Sequence, residues 1–391
     1  MDNAAGRPHR PGDAAPAVFP IVRFLVLNHA FRGCTGSEIN ALQLCEALRT
    51  MGHEADVGTF EPGRPLTARA ERSGITVRDL LEEDDTPLDY DLVWAHHAPV
   101  LTYLLFRRRL RDCRLLFSSL SPLTAMESPP AFLGEISRYL VHSPYNRDHL
   151  RDLGIPADRI RYFPNFAPEA FFAHPRPAPP RRLATIAIVS HHPPDEVKRF
   201  ALLARRRGMR VDYIGEPRPV YIDETVLPAY DLVVSIGRTA QYCFAQRVPF
   251  YCYDHFGGPG YITSENFERA QHGNFCGRSF WRKLTAAGLY QEITHGYAAA
   301  VAGLDGLRAR ARSLFHLETN LAALISELPA LPVTDFAALR ARHPVAGRLN
   351  DIYLESLRNR LRYERTLCSR LRQPLRRLKL RWDRRFPGRG A

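Results

Sequence analysis

IVRFLVLNHAFRGCTGSEINALQLCEALRTMGHEADVGTF, residues 21–60, decides the fold. Its first seven residues are apolar apart from Arg23, the pattern of a strand buried on both faces. After the loop NHAFRGCTG a helix is expected to start at Ser37, with Glu38 favourable in its first turn. Ala41, Leu44, Leu48 and Met51 recur at helical spacing, and Gly52 supplies a C-terminal stop. EADVGTF then returns to strand character. Strand, loop, helix and strand in this order open a parallel α/β sheet.

The alternation continues outward from that unit. YDLVWAHH (90–97), CRLLFSS (113–119), RYLVHS (138–143) and RIRYFPN (159–165) read as strands or strand ends, with a helix from Ser143 to a stop at Gly154. FAPEAFFAHPRPAPPRR (166–182) is too rich in proline for regular structure and reads as a linker. At Leu183 the pattern restarts with LATIAIVS, the loop HHPP, and a helix marked by Val197, Phe200, Ala201 and Ala204 that ends at Gly208. RVDYIG, YDLVVSIG and PFYCYD are further short strands. The expected organisation is a disordered leader over 1–19, a first α/β domain over 20–166, a Pro-rich linker over 167–182, a second α/β domain over 183–330 and a basic helical tail over 331–391. Ligands of such sheets bind beyond the carboxyl ends of the strands. That rule brings NHAFRG, His96-His97, SHHPP, GRT (237–239) and DHFGGPG (254–260) to one cleft.

Composition narrows the class. The chain has 391 residues, 45% of them hydrophobic, and no run approaches the ~18–20 apolar residues of a membrane span. The N-terminus lacks the apolar stretch of a secretory signal, so a cytoplasmic protein is expected. Seven scattered cysteines without a CxxC pair fit reduced buried thiols. Of the net charge of +13, a surplus of ten lies in residues 355–391, where thirteen Lys/Arg face three acids. This is a basic appendage on a near-neutral body, unlike the distributed basic surface of a nucleic-acid binder.

Three stretches resemble the GT-B glycosyltransferases of the group-one, family-four type. GSEINALQLCEALRTMGHEADV (36–57) is similar to that family's first Gly-rich loop and helix. VHSPYNRDHLRDLGIPADRIRYFPNF (141–166) resembles its stretch before the hinge, and VSIGRTAQYCFAQRVPFYCYD (234–254) its donor-domain element. The resemblance spans roughly residues 20–330 and implies two Rossmann-like domains facing a central cleft, a nucleotide-sugar donor, a glycan or lipid-linked acceptor, retention of configuration, no bound metal and no separate cofactor. It also implies envelope polysaccharide synthesis and a bacterial source. Two features depart from the pattern: Tyr242 stands at the usual acidic position and the upstream glutamate has no counterpart, and VSHHPPDEVKR (189–199) replaces the usual Gly-Arg-Lys phosphate contact.

The donor diphosphate needs backbone N–H groups and cations, and the acceptor hydroxyl needs assistance. Gly257, Gly258 and Gly260 are expected to form a loop that lets backbone approach the donor, with Thr263 or Ser264 capping the helix that follows. Asp254 and His255 would reach sugar hydroxyls, and Glu265 a ribose diol. Arg238 after Gly237 suits a bidentate phosphate contact, with Thr239 donating or capping. Ser190, His191 and Lys198 are further donor candidates. His96 and His97 are placed near the reacting centre, and Gly36 and Glu38 on the acceptor side. Each has a plainer alternative: a structural turn for the glycines, a solvated face for Lys198, a first-turn carboxylate for Glu38, packing for one histidine of the pair. The acidic run 81–91 reads as a solvated loop, so no metal site is expected. In the tail, Leu354, Leu357, Leu361, Cys368, Leu371, Leu375, Leu378 and Trp382 recur at 3–4 spacing among arginines, with Pro374 expected to interrupt the helix. Such a stripe suits an anionic membrane surface, reached from the cytoplasmic side through residues 345–391, or else packing across the domains. Two rival classes are a GT-B binding protein without turnover and a polyanion binder; an NAD oxidoreductase lacks its GxGxxG.

Overall fold

The computed structural model describes residues 20–82, 86–177, 182–215 and 220–385, with the backbone alone for Arg365 and for 367–385. The expected leader 1–19 lies outside the described residues. The first domain contains β1 (Arg23–Leu27), β2 (Ala30–Phe31), β3 (Glu54–Thr59), β4 (Glu61–Pro62), β5 (Val77–Asp79), β6 (Leu92–Ala95), β7 (Arg114–Ser119), β8 (Arg138–Val141) and β9 (Ile160–Tyr162). Seven of these form one parallel sheet in the order β5-β3-β1-β6-β7-β8-β9, while β2 and β4 pair separately. Alternate residues of β1 serve opposite cores, as the two-residue period of a strand requires. Phe24 and Val26 pack beside α1 (Gly36–Thr50) and α2 (Leu66–Arg72). Leu25 and Leu27 pack beside α3 (Ala98–Arg107) and α4 (Pro144–Asp152).

α5 (Glu169–Ala173) leads into a second sheet made of β10 (Thr185–Val189), β11 (Arg210–Ile214), β12 (Leu232–Ser235), β13 (Phe250–Asp254) and β14 (Gly257–Tyr261). Its order is β11-β10-β12-β13-β14, parallel throughout except for the antiparallel pair β13–β14. α6 (Asp195–Arg206) and α9 (Ala286–Ala302) cover one face. α7 (Arg238–Ala245), α8 (Phe267–His272) and α10 (Leu304–Phe315) cover the other, together with Phe171 and Phe172 of α5. In both sheets the chain first builds outward on one side and then on the other. The switch points therefore fall between β1 and β6 and between β10 and β12.

Three expectations change. The linker expected over 167–182 begins with a helix that belongs to the second core, and the domains are joined at Ala167 instead. There the outgoing chain bonds the returning one: Ala167 N–H donates to Phe315 O at 2.9 Å and Leu317 N–H to Ala167 O at 3.1 Å. The second domain also ends before residue 330, because α11 (Leu317–Glu327) packs on the first domain. Leu317, Leu321 and Leu324 are buried there, and at ~2 kcal/mol per buried leucine the return contributes on the order of 6 kcal/mol. Finally, α12 (Phe336–Arg342) and α13 (Pro344–Arg385) continue over the first domain, and α13 runs unbroken through Pro374. Leu354 and Leu357 are buried and Leu361 is packed against the same core, so this part of the predicted membrane stripe faces inward.

Candidate active site

Two cavities lie between the domains, at the carboxyl ends of both sheets, and another adjoins them on the first domain. The largest of these three, about 910 Å³, is lined by Leu120–Pro122, His142, Ser143, Tyr145 and Asn146 from the first domain and by Ile236, Gly237, Asp254 and residues between Glu268 and Trp281 from the second. A central one of about 300 Å³ lies among Thr35, Gly36, Ser37, Glu127, His142, Asn165, Arg238 and Asn274. A third, of about 430 Å³, sits under α13 and shares Thr35, Ser37 and Glu127 with the central one.

The first-domain wall is a row of polar residues. The neighbouring strands β1, β6, β7 and β8 end in Asn28, His96, Ser119 and His142, and Asn28 Oδ1, both His96 nitrogens, Ser119 Oγ and His142 Nδ1 have no hydrogen-bond partner among the described residues. His96 is fully buried, and burial, then the neighbouring His97 and Arg238, hold its pKa far below the imidazole range. Burial likewise pushes His142 down to about 4. Both rings are neutral near pH 7 and present nitrogens without charge. His97 caps α3 in sequence position, and its Nδ1 accepts the His29 backbone N–H at 2.9 Å. In the neutral ring this fixes the proton on Nε2, which points toward Glu127 Oε1 at 3.7 Å. His97 is thereby a hydrogen-bond donor to the cleft.

The second-domain wall centres on Gly237-Arg238 at the end of β12. Gly237 has φ 60°, donates its N–H to Phe275 O at 3.0 Å and precedes the first turn of α7. Arg238 reaches across the cleft to Gln43 Oε1 at 3.0 Å and Asn165 Oδ1 at 3.4 Å, with its guanidinium 4.8 Å from the centre of the Phe166 ring. These partners are neutral. No carboxylate pairs with Arg238 among the described residues, so its charge faces the cleft uncompensated. Thr239 is buried in the same turn, and Gly237 rather than Thr239 takes the capping position. Further bonds close the domains on each other: Tyr242 OH to Gln43 Oε1 at 2.8 Å, Asn165 Nδ2 to Asn274 Oδ1 at 3.0 Å and Gln271 Nε2 to Tyr162 OH at 3.0 Å.

Other candidates stand elsewhere or do other work. Gly257, Gly258 and Gly260 form β14, and the space they leave is filled by protein. A Cβ on Gly257 would lie 2.0 Å from Arg282 O, one on Gly258 2.0 Å from Cys252 O, and one on Gly260 2.2 Å from Glu292 Oε1. The expected donor loop is thus a hairpin packed on its own domain. Neither Thr263 nor Ser264 caps the following helix, whose N-cap is Asn266, and Glu265 is exposed. Asp254 does line the largest cavity, but its oxygens accept the N–H groups of Phe256 and Gly277 at 2.7 and 2.9 Å. His255 is exposed and bonds His192 O at 2.8 Å. His191 is exposed, Ser190 Oγ accepts the His192 N–H at 3.2 Å, and Lys198 is exposed and paired with Asp195 at 3.0 Å. Glu38 is buried and accepts the N–H groups of Arg32, Gly33 and Thr35 at 2.8, 3.0 and 2.7 Å. It shapes the first Gly-rich loop. Gly36 opens onto free space, with nothing within 4 Å of an added Cβ.

Sequence reasoning missed His29, Glu61, Glu127, His142, Tyr353 and Arg360, all of which line the cleft. His142 carries the signal that singled out His96, a polar residue directly after a buried strand, and His29 stands one residue further on, after Asn28. Tyr353 and Arg360 carry none, since only the return of the chain brings them there. Tyr145 and Trp281, exposed by 45% and 69%, face the largest cavity from opposite domains, and Trp281 adopts φ 52°.

No family model and no curated protein matches the chain in sequence. Solved structures match it in fold. HepE of Anabaena, solved with UDP and glucose, has a TM-score of 0.53 at 13% identity, covering 79% of this chain and 100% of its own. A glycosyltransferase of Rickettsia africae has a TM-score of 0.52 at 12% identity, covering 79% and 99%. TarM of S. aureus, solved with fondaparinux, α-GlcNAc-glycerol and UDP, has a TM-score of 0.53 at 8% identity, covering 78% and 99%. At these identities the likeness defines the fold. The chain has the GT-B architecture, two Rossmann-like domains facing a cleft, with a helical C-terminal tail.

Proposed function

We propose that the protein is a glycosyltransferase that moves a sugar from a nucleotide-sugar donor to a glycan or lipid-linked acceptor, with no separate cofactor. The observation that carries the reading is Arg238, a guanidinium at the switch point of the second sheet, facing the cleft with neutral partners only. A phosphate accepts a charge-assisted, bidentate pair of bonds that the amides of Gln43 and Asn165 do not match. Gly237 leaves the backbone beside it bare, and the first turn of α7 offers N–H groups of the right polarity. As the glycosidic bond breaks, the leaving diphosphate gains charge, and a fixed cation there lowers the barrier without reorganisation. A bound metal is not needed for that role in this reading. The broad cavity beside Arg238, with Tyr145 and Trp281 at its walls, has room for the rest of the donor. HepE and TarM, proteins of the same fold, were solved with UDP, which supports a nucleotide-sugar donor. The family resemblance adds retention of configuration and envelope polysaccharide synthesis in a bacterium.

A second reading, donor binding without turnover, is favoured by Tyr242. It occupies the usual acidic position, buried, stacked on Phe171 with ring centres 4.2 Å apart and bonded to Gln43. That position therefore offers the donor no carboxylate, and Glu265 lies too far out to replace it. Consumption of donor separates the two readings.

α13 supplies a contact with an anionic bilayer on the cytoplasmic side. Val345, Leu349, Ile352 and Tyr363, exposed by 60–67%, fall on one face of the helix, opposite Leu354, Leu357 and Leu361. The surplus of ten positive charges in 355–391 disfavours pairing with a second copy and favours acidic headgroups. None of the helices among the described residues is long and apolar enough to cross a membrane.

The test is stabilisation by a panel of nucleotide-sugars. One class raises the melting temperature of the wild-type protein, and Arg238→Ala loses the effect.

A further inference from the structure

The cavity under α13 is built from two distant parts of the chain. The first domain contributes Asn28, His29, Arg32, Glu61, His97 and Glu127, and α13 contributes Tyr353, Ser356, Leu357 and Arg360. Its walls are fixed by bonds at known positions. Tyr353 OH lies 2.6 Å from His29 Nε2, and His29 Nδ1 lies 3.6 Å from Glu61 Oε1. Burial pushes His29 down to about 4, against the opposing pull of Glu61, so the ring is neutral, with Nε2 hydrogen-bonded to the tyrosine hydroxyl. Glu61, almost wholly buried, is held between Arg32 at 2.8 Å and Arg360 at 2.5 Å. Both guanidiniums remain about half exposed and keep donors facing outward.

The chemistry of the lining selects one class of ligand. Donors stand at Arg32, Arg360 and His97 Nε2, and acceptors at Glu127 and at Asn28 Oδ1, which is buried and has no partner among the described residues. Met126 and Leu357 add apolar surface among them. An apolar ligand would strand these polar atoms. An anion would meet Glu61 and Glu127, which offset the two arginines. A neutral polyol with hydroxyls that both donate and accept, and with C–H faces between them, satisfies both halves. A volume of about 430 Å³ lies at the small end of the ligand-pocket range. The shared Thr35, Ser37 and Glu127 open it toward Arg238.

We propose that this cavity takes the acceptor as a neutral sugar, and that Tyr353, Ser356 and Arg360 of α13 determine which sugar it takes. The proposal rests on the glycosyl-transfer reading, because an acceptor has meaning only beside a donor. The register of α13 does not depend on the ligand. Leu354 and Leu357 anchor it in the core, Asn350 bonds Pro99 O at 2.9 Å, and Arg107 pairs with Asp351. Ser356 is exposed on the cavity side, so a large residue there fills the cavity and leaves the core alone.

The test is saturation-transfer NMR on the full chain with UDP present. The probes are the methyl glycosides of glucose, galactose, mannose and N-acetylglucosamine. In the wild-type protein at least one glycoside receives saturation. In Ser356→Phe and in Arg360→Met its affinity falls about tenfold or more, the loss of one or two hydrogen bonds. Tyr353→Phe changes the order of preference among the glycosides. Absence of transfer to every glycoside in the wild-type protein overturns the proposal, and so does equal transfer in Ser356→Phe and Arg360→Met. Melting temperatures of the same samples with nucleotide-sugars keep the two readings apart. Donor stabilisation without glycoside binding refutes the acceptor cavity alone, whereas loss of donor stabilisation in every sample refutes glycosyl transfer itself.

Discussion

Protonation of three histidines sets the behaviour of the cleft at the scale of single residues. His29 and His142 are each lowered from 6.5 to about 4, and His96 is lowered well below the usual imidazole value, with burial as the leading cause. In the unfolded chain these rings take protons below roughly pH 6.5, and in the folded chain they do not. Between the two values the unfolded state binds more protons, so stability is complete above the unfolded pKa and falls as pH drops toward about 4. For one such site the loss is of order 3 kcal/mol at the acid end. The melting temperature, followed by circular dichroism, is therefore expected to fall between roughly pH 7 and pH 5, and less steeply in His142→Gln. A flat profile in the wild-type protein over that range contradicts the buried, neutral state. The histidine pair 96–97 was legible in the sequence because it follows a buried strand. Its division of labour was not, since the proton position on His97 is set by the backbone of His29, 68 residues away.

Elements explain why a glycine-rich stretch misleads. The absence of a Cβ lets backbone approach a ligand or another backbone equally well, and the sequence does not name the partner. In DHFGGPG the partner is the protein: Gly258 faces Cys252 O across the hairpin, and Gly257, at φ 87°, faces Arg282 O. Gly258→Ala is accordingly expected to cost about 1–3 kcal/mol of stability, because strand backbone must move to admit the methyl group. Urea denaturation measures this. A change below the error of the measurement sinks the hairpin account. The helices were the readable part. Ser143 accepts the Asn146 N–H at the start of α4, and Gly52, Gly154 and Gly208 take positive φ just beyond α1, α4 and α6, as their positions in the pattern required. Pro374 was misleading in the opposite sense, since α13 continues through it.

For the whole molecule, the parallel α/β pattern gave two domains and a cleft, and the order of the strands placed the switch points there. What composition and periodicity did not carry was the return of the chain at Leu317. That step puts α11 to α13 on the first domain, turns Leu354, Leu357 and Leu361 inward and leaves Val345, Leu349, Ile352 and Tyr363 outside. The outer face predicts salt-sensitive binding to phosphatidylglycerol vesicles, weakened by Leu349→Glu with Ile352→Glu and absent with phosphatidylcholine alone. Co-sedimentation reads the result, and a concentration-dependent dimer with no vesicle binding replaces the bilayer with a second copy of the chain. Yet the central claim concerns the cleft, and the most direct test of it is thermal stabilisation by UDP-, GDP-, dTDP- and CMP-sugars, with Arg238→Ala beside the wild-type protein. The account predicts a selective rise with one nucleotide class, growing with ligand concentration, and its loss in the variant. A well-folded wild-type protein that none of them stabilises, or an equal rise in Arg238→Ala, would contradict it.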